Sequence, residues 1–292
     1  MKKMNRRWNM RRCTLLILVL SLLICLGTQA AAEETLQSDL LEAALSHLEQ
    51  GNPLLEHYNQ VTGRSVQARF ELGCPYFWGG RAESRLGTVM NAWQSSPGYY
   101  IKGYPYIYGY DCNGFIGWLL RSHGFQPLGS ISGALYMPAS AETDIPGSSS
   151  AQGADLSQRL QIGDILAIHH HGSSYHIAMY IGTLRQYGYT EEGTSESIRA
   201  LLDYPLIIHC TVSSDYYIRY ESYIEDAFDT IVYPPDGGVI VSVVAPLSMA
   251  TDEEINPDND TSPYCLLDGY RLQVYDPSRD TQTRWIRWSK AA

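Results

Sequence analysis

Beyond residue 32 the chain has no long hydrophobic run, so no later segment reads as a membrane span. Cysteine is sparse: after the leader only Cys74, Cys112, Cys210 and Cys265 remain, too few and too widely spaced for a dense disulfide framework. They also lack the close pairing of a zinc site, and neither a metal nor another cofactor is expected. A Cys74–Cys265 or Cys74–Cys210 bridge stays open at this level. Basic charge is scarce too. The whole chain carries 21 Lys and Arg against 31 Asp and Glu, a net −10. Six of those basic residues lie in residues 1–32, leaving 15 against 31 and a net −16 for the remainder. Such a surface repels phosphate backbones and anionic polymers, which excludes nucleic acid as a partner. There is no internal repeat.

What is present begins with a leader. Lys2, Lys3, Arg6, Arg7, Arg11 and Arg12 precede an apolar run from Leu15 to Leu26, and Thr28-Gln29-Ala30-Ala31-Ala32 offers small-residue cleavage sites. This predicts a signal peptide over residues 1–32, with membrane contact through that segment only. Cys25 follows a bulky Ile24, unlike a lipoprotein processing site.

Residues 33–66 read as an N-terminal helical segment. Leu40, Leu41, Ala44, Leu45 and Leu48 share one face of a helix over 36–48. Asn52 then caps a second helix with Pro53 at its first position, Leu54, Leu55, Tyr58 and Val61 on its buried side, and Gly63 at its end. Residues 70–80 form a glycine- and aromatic-rich segment, and 99–110 a tyrosine-dense run that reads either as a stacking platform or as loop packing. A helix is predicted from Cys112 to about His123, with Phe115, Ile116, Leu119 and Leu120 inward. Residues 137–158 read as a long loop or lid. Ile165–His169 and Tyr175–Gly182 read as paired strands, Leu206–Val212 as another, and 238–247 and 270–276 as further strands.

The chemistry centres on Cys112. Asp111 stands where an N-cap belongs, which makes Cys112 the first residue of a helix, and helix-end amides together with a nearby imidazole favour a thiolate. The alternative for an isolated cysteine here is a small buried hydrophobe at the start of a core helix. Gly114 leaves room for a substrate to approach. In the strand around His176, alternation sends His176, Ala178 and Tyr180 to one face, so His176 can act as general base and then general acid. The same alternation sends His209 and Cys210 to opposite faces, leaving His209 to orient His176. His169, His170 and His171 read as a polar turn rather than a metal site, and Asp164 as turn chemistry.

Four segments, Pro75-Tyr76-Phe77-Trp78-Gly79-Gly80, Asp111-Cys112-Asn113-Gly114-Phe115, Gly163-Asp164-Ile165 and His176-Ile177-Ala178-Met179-Tyr180-Ile181-Gly182, together resemble the NlpC-like cell-wall cysteine endopeptidases, over roughly residues 67–215. The resemblance implies an α+β, papain-like fold in which N-terminal helices precede a nucleophile helix packed on an antiparallel sheet. It implies a catalytic domain over 67–235, with 236–292 left as a C-terminal β-rich extension. It implies Cys112 as nucleophile, His176 as base and His209 as the third polar residue, with substrate-binding positions at Tyr76, Asp111 and Asn113. The expected activity is that of a secreted, cell-wall-associated monomer that hydrolyses amide bonds in peptidoglycan stem peptides, of the D-glutamyl–diamino acid type. An amidase or acyl transferase on the same fold is the alternative, followed by a silent wall-binding module, against which the intact Cys/His/His set weighs. Two departures stand out: the long stretch 81–110 before Cys112, and Asn113 in place of a small hydroxyl residue.

Overall fold

The computed structural model of the 292-residue chain describes residues 35–92, 102–103, 105–124, 142–169, 175–211, 238–250, 263–280 and 282–288. The expected signal peptide and the turn at 170–174 lie outside the described residues. The chain divides into two units, Met1–Asp39, in which residues 35–39 are helical, and Leu40–Ala292, which holds everything described below.

Two helices open this unit. In α1 (residues 40–45), Leu40, Leu41, Ala44 and Leu45 are buried, with Leu48 beside them. In α2 (Pro53–Thr62) the Asn52 side chain accepts from the Leu54 N–H at 3.1 Å, Pro53 occupies the first turn, and Gly63 closes the helix at φ 67°. Leu54, Leu55 and Tyr58 are buried as expected, but Val61 is 54 % exposed. Its methyl group abuts Gly188, which has no side chain to cover it.

The insert before Cys112 forms a short antiparallel pair, β1 (Val89–Asn91) with β2 (Pro105–Ile107). Tyr106, Tyr108 and Tyr110 are buried, so among the described residues the tyrosine run is packing rather than an exposed stacking platform. The Tyr108 hydroxyl accepts from the N–H groups of Arg81 and Ala82 at 2.8 and 3.1 Å, pinning the chain just after Gly80.

The main sheet has eight strands in the order β3-β10-β4-β5-β6-β7-β9-β8. They are β3 (Glu142–Asp144), β4 (Ile165–His169), β5 (Tyr175–Gly182), β6 (Leu206–Thr211), β7 (Gly238–Val244), β8 (Tyr264–Leu267), β9 (Tyr270–Tyr275) and β10 (Gln282–Trp288). Helix α3 (Cys112–Ser122) packs on β5 and β6 through the fully buried Phe115, Ile116, Leu119 and Leu120. This is the expected α+β arrangement, with the helix that begins at Cys112 packed on a sheet. The sheet departs from the expected antiparallel pattern at one place, where β7 and β9 run parallel over Ser242–Val244 and Gln273–Tyr275.

The stretch expected as a lid is structured from residue 142 onward, holding β3 and the short helix α4 (Gly153–Ser157). Ile145 and Leu156 explain why: both enter one apolar cluster with Leu166, Ile168, Tyr180 and Trp285, and burying such side chains contributes roughly 1.5–3 kcal/mol each. Asp164 does more than form a turn. One oxygen accepts from the Gln161 N–H at 2.7 Å, and both oxygens receive the Arg287 guanidinium at 2.9 and 2.7 Å, which fastens β10 beside β4.

Candidate active site

The site is built where three backbone segments press together. Residues 75–80 run beside 108–111, with Phe77 N–H to Tyr110 O at 2.9 Å, Tyr110 N–H to Pro75 O at 3.1 Å and Asp111 N–H to Gly80 O at 3.0 Å. Glycine makes the approach possible. A Cβ on Gly80 would lie 2.1 Å from Gly109 O, one on Gly109 1.7 Å from Pro75 O, and one on Gly114 1.8 Å from Gly80 O. The room left by Gly114 is therefore filled by the Gly80 backbone, not held for a substrate as its helix position suggested. Trp78, in the same segment, is half exposed.

This seam fixes the start of α3. Asp111 has extended backbone geometry at the N-cap, and its buried side chain accepts from the Gly114 N–H. Arg81 approaches the same carboxylate at 3.8 Å. Burial nevertheless holds the Asp111 carboxyl above its usual range, the Gly114 N–H acting against it. Cys112 is thereby the first residue of α3, partly accessible and unbridged.

Its thiol is in the opposite state from the one its helix-start position suggests. Dense packing pushes it up to about 12, and the Asp111 carboxylate adds to the rise. The N–H groups of Asn113, Ile177 and Cys112 itself pull the other way without winning. The resting group is a protonated thiol. The Ile177 amide also identifies the neighbour of Cys112 on the sheet: it belongs to β5, one residue from His176.

His176 and His209 meet across β5 and β6, His176 Nε2 lying 2.7 Å from His209 Nδ1 with the rings edge to face. His209 is 4 % exposed, and burial brings it down to about 3, so the ring is neutral at physiological pH. Its other nitrogen, Nε2, lies 2.8 Å from Ser242 Oγ on β7. Ser242 was not read from the sequence. The signal available was one hydroxyl inside Gly238-Val239-Ile240-Val241-Ser242-Val243-Val244, a strand buried throughout.

Cys210 points away from His209, as alternation requires. Its sulfur donates toward Tyr110 O at 3.1 Å in the core, and burial holds the thiol far above its ordinary range. Cys74 and Cys265 are buried and carry no disulfide, so neither of the bridges left open by the spacing is formed. Of the expected substrate positions, Asp111 is engaged as the cap, Tyr76 is buried alongside Tyr110, and Asn113 is half-buried in the first turn of α3. Among the described residues no three His, Cys, Asp or Glu side chains are grouped to hold a metal ion, and no helix is long and apolar enough to cross a membrane. A cleft of about 190 Å³ lined by Leu156, Tyr204, Val244 and Trp285 contains none of Cys112, His176 or His209.

Residues 73–200 match the family described as NlpC/P60. No curated protein and no solved structure matches the chain.

Proposed function

From the NlpC/P60 family domain that the chain carries over residues 73–200, we propose that this protein is an exported cysteine peptidase. The family supports cell-wall peptidase or amidase chemistry. The proposed substrate is the peptidoglycan stem peptide, cut at the D-glutamyl–diamino acid bond by a secreted monomer. The observation that carries the reading is the 2.7 Å contact between His176 and His209, on the strand that also offers an amide to Cys112.

In the proposed mechanism Cys112 Sγ attacks the scissile carbonyl carbon while His176 Nδ1 takes the thiol proton. The thiol is protonated at rest, so proton transfer accompanies attack instead of preceding it. The first-turn amides at Cys112 and Asn113 favour negative charge as it develops. His176 returns the proton to the leaving amine, and a thioester remains. Water, deprotonated by His176, then hydrolyses the thioester and restores the thiol. His209 holds the imidazolium through Nε2 of His176. Tyr76 and Asn113 border the bound peptide, and Asp111 contributes by fixing the helix start on which Cys112 stands.

The test is mass spectrometry of muropeptides after incubation with the protein. Cleavage of the stem peptide is expected, with Cys112→Ala and His176→Ala abolishing it and His209→Ala leaving a remainder. Undiminished cleavage by Cys112→Ala would sink the mechanism. Transfer of the acyl group to an amine acceptor, in place of hydrolysis, would reassign the reaction to an acyl transferase.

A further inference from the structure

We propose that Ser242 supports the catalytic direction of the proton relay, accepting a hydrogen bond from His209 Nε2–H and thereby stabilising the base-competent tautomer of His176. The inference rests on the reading of Cys112 and His176 as nucleophile and base. The need for such a residue follows from the use of histidine as the third member. A neutral imidazole has one donor and one acceptor nitrogen, so the His176 Nε2–His209 Nδ1 contact of 2.7 Å can be polarised either way. In the outward direction His176 donates from Nε2 and keeps a lone pair on Nδ1 for the thiol proton. In the inward direction His209 donates from Nδ1, His176 carries its proton on Nδ1, and no lone pair is left for the thiol. A carboxylate in third position can only accept, which forces the outward direction. Histidine leaves both open.

The outward direction places a proton on the buried His209 Nε2, which meets Ser242 Oγ at 2.8 Å, a hydroxyl able to accept that proton as well as to donate its own. The register places the serine there: Ile207 pairs with Ser242 across β6 and β7, so Ser242 shares a face with Ile207 and hence with His209. Ser242 is 1 % exposed, and a buried hydroxyl in a Val/Ile strand costs stability unless hydrogen-bonded. The proposed attack takes the proton of the Cys112 thiol, which calls for the outward direction, and in that direction the buried His209 Nε2–H needs the acceptor that Ser242 Oγ supplies. An acidic side chain at 242 would draw His209 toward imidazolium, whose Nδ1–H would then point at His176 and block it. A neutral hydroxyl accepts without adding that charge.

The experiment is nitrogen-15 NMR of the histidine side chains in the 292-residue chain at neutral pH, which reports directly which ring nitrogen carries the proton. Both His209 and His176 are expected to be protonated on Nε2. In Ser242→Ala both rings should shift to a tautomer mixture, and kcat on the stem peptide should fall by about tenfold with KM within about twofold. Ser242→Thr keeps the hydroxyl and should restore the tautomer and most of kcat. A wild-type His209 protonated on Nδ1, or unchanged tautomers in Ser242→Ala, overturns the proposal. The tautomer readings need no turnover, so persistent activity in Cys112→Ala would remove the proposed mechanism while leaving the control exerted by Ser242 on the histidine pair to stand on its own data.

Discussion

Replacing Gly114 by alanine separates the packing of this site from ordinary helix chemistry, because the two predict opposite signs. In a helix interior the exchange gains up to about 1 kcal/mol from propensity. Here the new Cβ would stand 1.8 Å from the Gly80 carbonyl oxygen and 2.9 Å from its carbon, against a comfortable contact of about 3.5 Å. The two backbones must part by well over an ångström, and no side-chain rotamer can relieve them. Gly80 is itself held by its N–H to Phe77 O at 2.7 Å and by Asp111 N–H to its own carbonyl at 3.0 Å. Parting the chains strains the second of these bonds, whose loss costs about 1–3 kcal/mol, on top of about 1–3 kcal/mol for overpacking. After subtracting the propensity gain, Gly114→Ala should destabilise by about 3 kcal/mol, or about 6–12 °C in Tm for a chain of this size. Urea and thermal unfolding measure it. A Tm equal to or above that of the unsubstituted protein would refute the close-packed seam. Gly193→Ala is the control: nothing lies within 4 Å of its Cβ position, and only the positive φ of 84° is strained, which costs about 1–2 kcal/mol.

Three other outcomes are expected. His47 and His209 are both brought down to about 3 by burial. The unfolded chain, with ordinary histidines near 6.5, therefore binds more protons in acid; stability is full above about pH 6.5 and falls as pH drops toward 3. Between pH 7 and 4.5 each histidine should remove about 2–3 kcal/mol, and a flat urea midpoint over that range would contradict it. Asp111→Asn keeps an N-cap acceptor but removes the carboxylate that raises the Cys112 thiol, so alkylation of Cys112 at pH 8 should be severalfold faster; slower labelling would show that the carboxylate acts otherwise. Arg287→Met strands the buried Asp164 carboxylate and should cost about 3–5 kcal/mol in chemical denaturation, with most of it recovered when Asp164 is also made apolar; a loss below 1 kcal/mol would argue against a buried ion pair.

The parts of the molecule legible in the sequence are those whose causes are local. Asn52, Pro53 and Gly63 bound α2 because capping acts within one turn, and Asp111 caps α3 for the same reason. The alternation along β5 and β6 sent His209 toward His176 and Cys210 into the core. The four short segments that pointed to the NlpC-like family hold up, three of them lying inside the matched region and the fourth, around His176, inside it as well. What was missed depends on partners far along the chain. Arg287 meets Asp164 across 123 positions, and β10, with Arg284 and Arg287 among its few residues, has no apolar run to announce it. The environment of the Cys112 thiol is illegible in the sequence for a related reason. A helix start and a nearby imidazole argue for a lowered thiol, but the packing of α3 on the sheet supplies a larger opposing cost, and that packing is set by β5 and β6.

The matched region stops at residue 200, yet His209 and Ser242 lie beyond it. The hydrogen bonds from His176 to His209 to Ser242 run across β5, β6 and β7, perpendicular to the chain, so each step depends on strand register. Side chains alternate with a period of two, so a one-residue slip of β7 would turn Ser242 to the other sheet face and bring a valine to His209. Two neighbours prevent that slip. On one side β6 holds β7 from Leu206↔Val243 to Thr211↔Gly238. On the other, β9 pairs with β7 in parallel, beginning at Ser242↔Gln273, and β8 pairs with β9 in turn. The strands after residue 236 thus bear on the histidine pair through register: β7 brings the hydroxyl, and β9 holds β7 at the position where that hydroxyl faces His209.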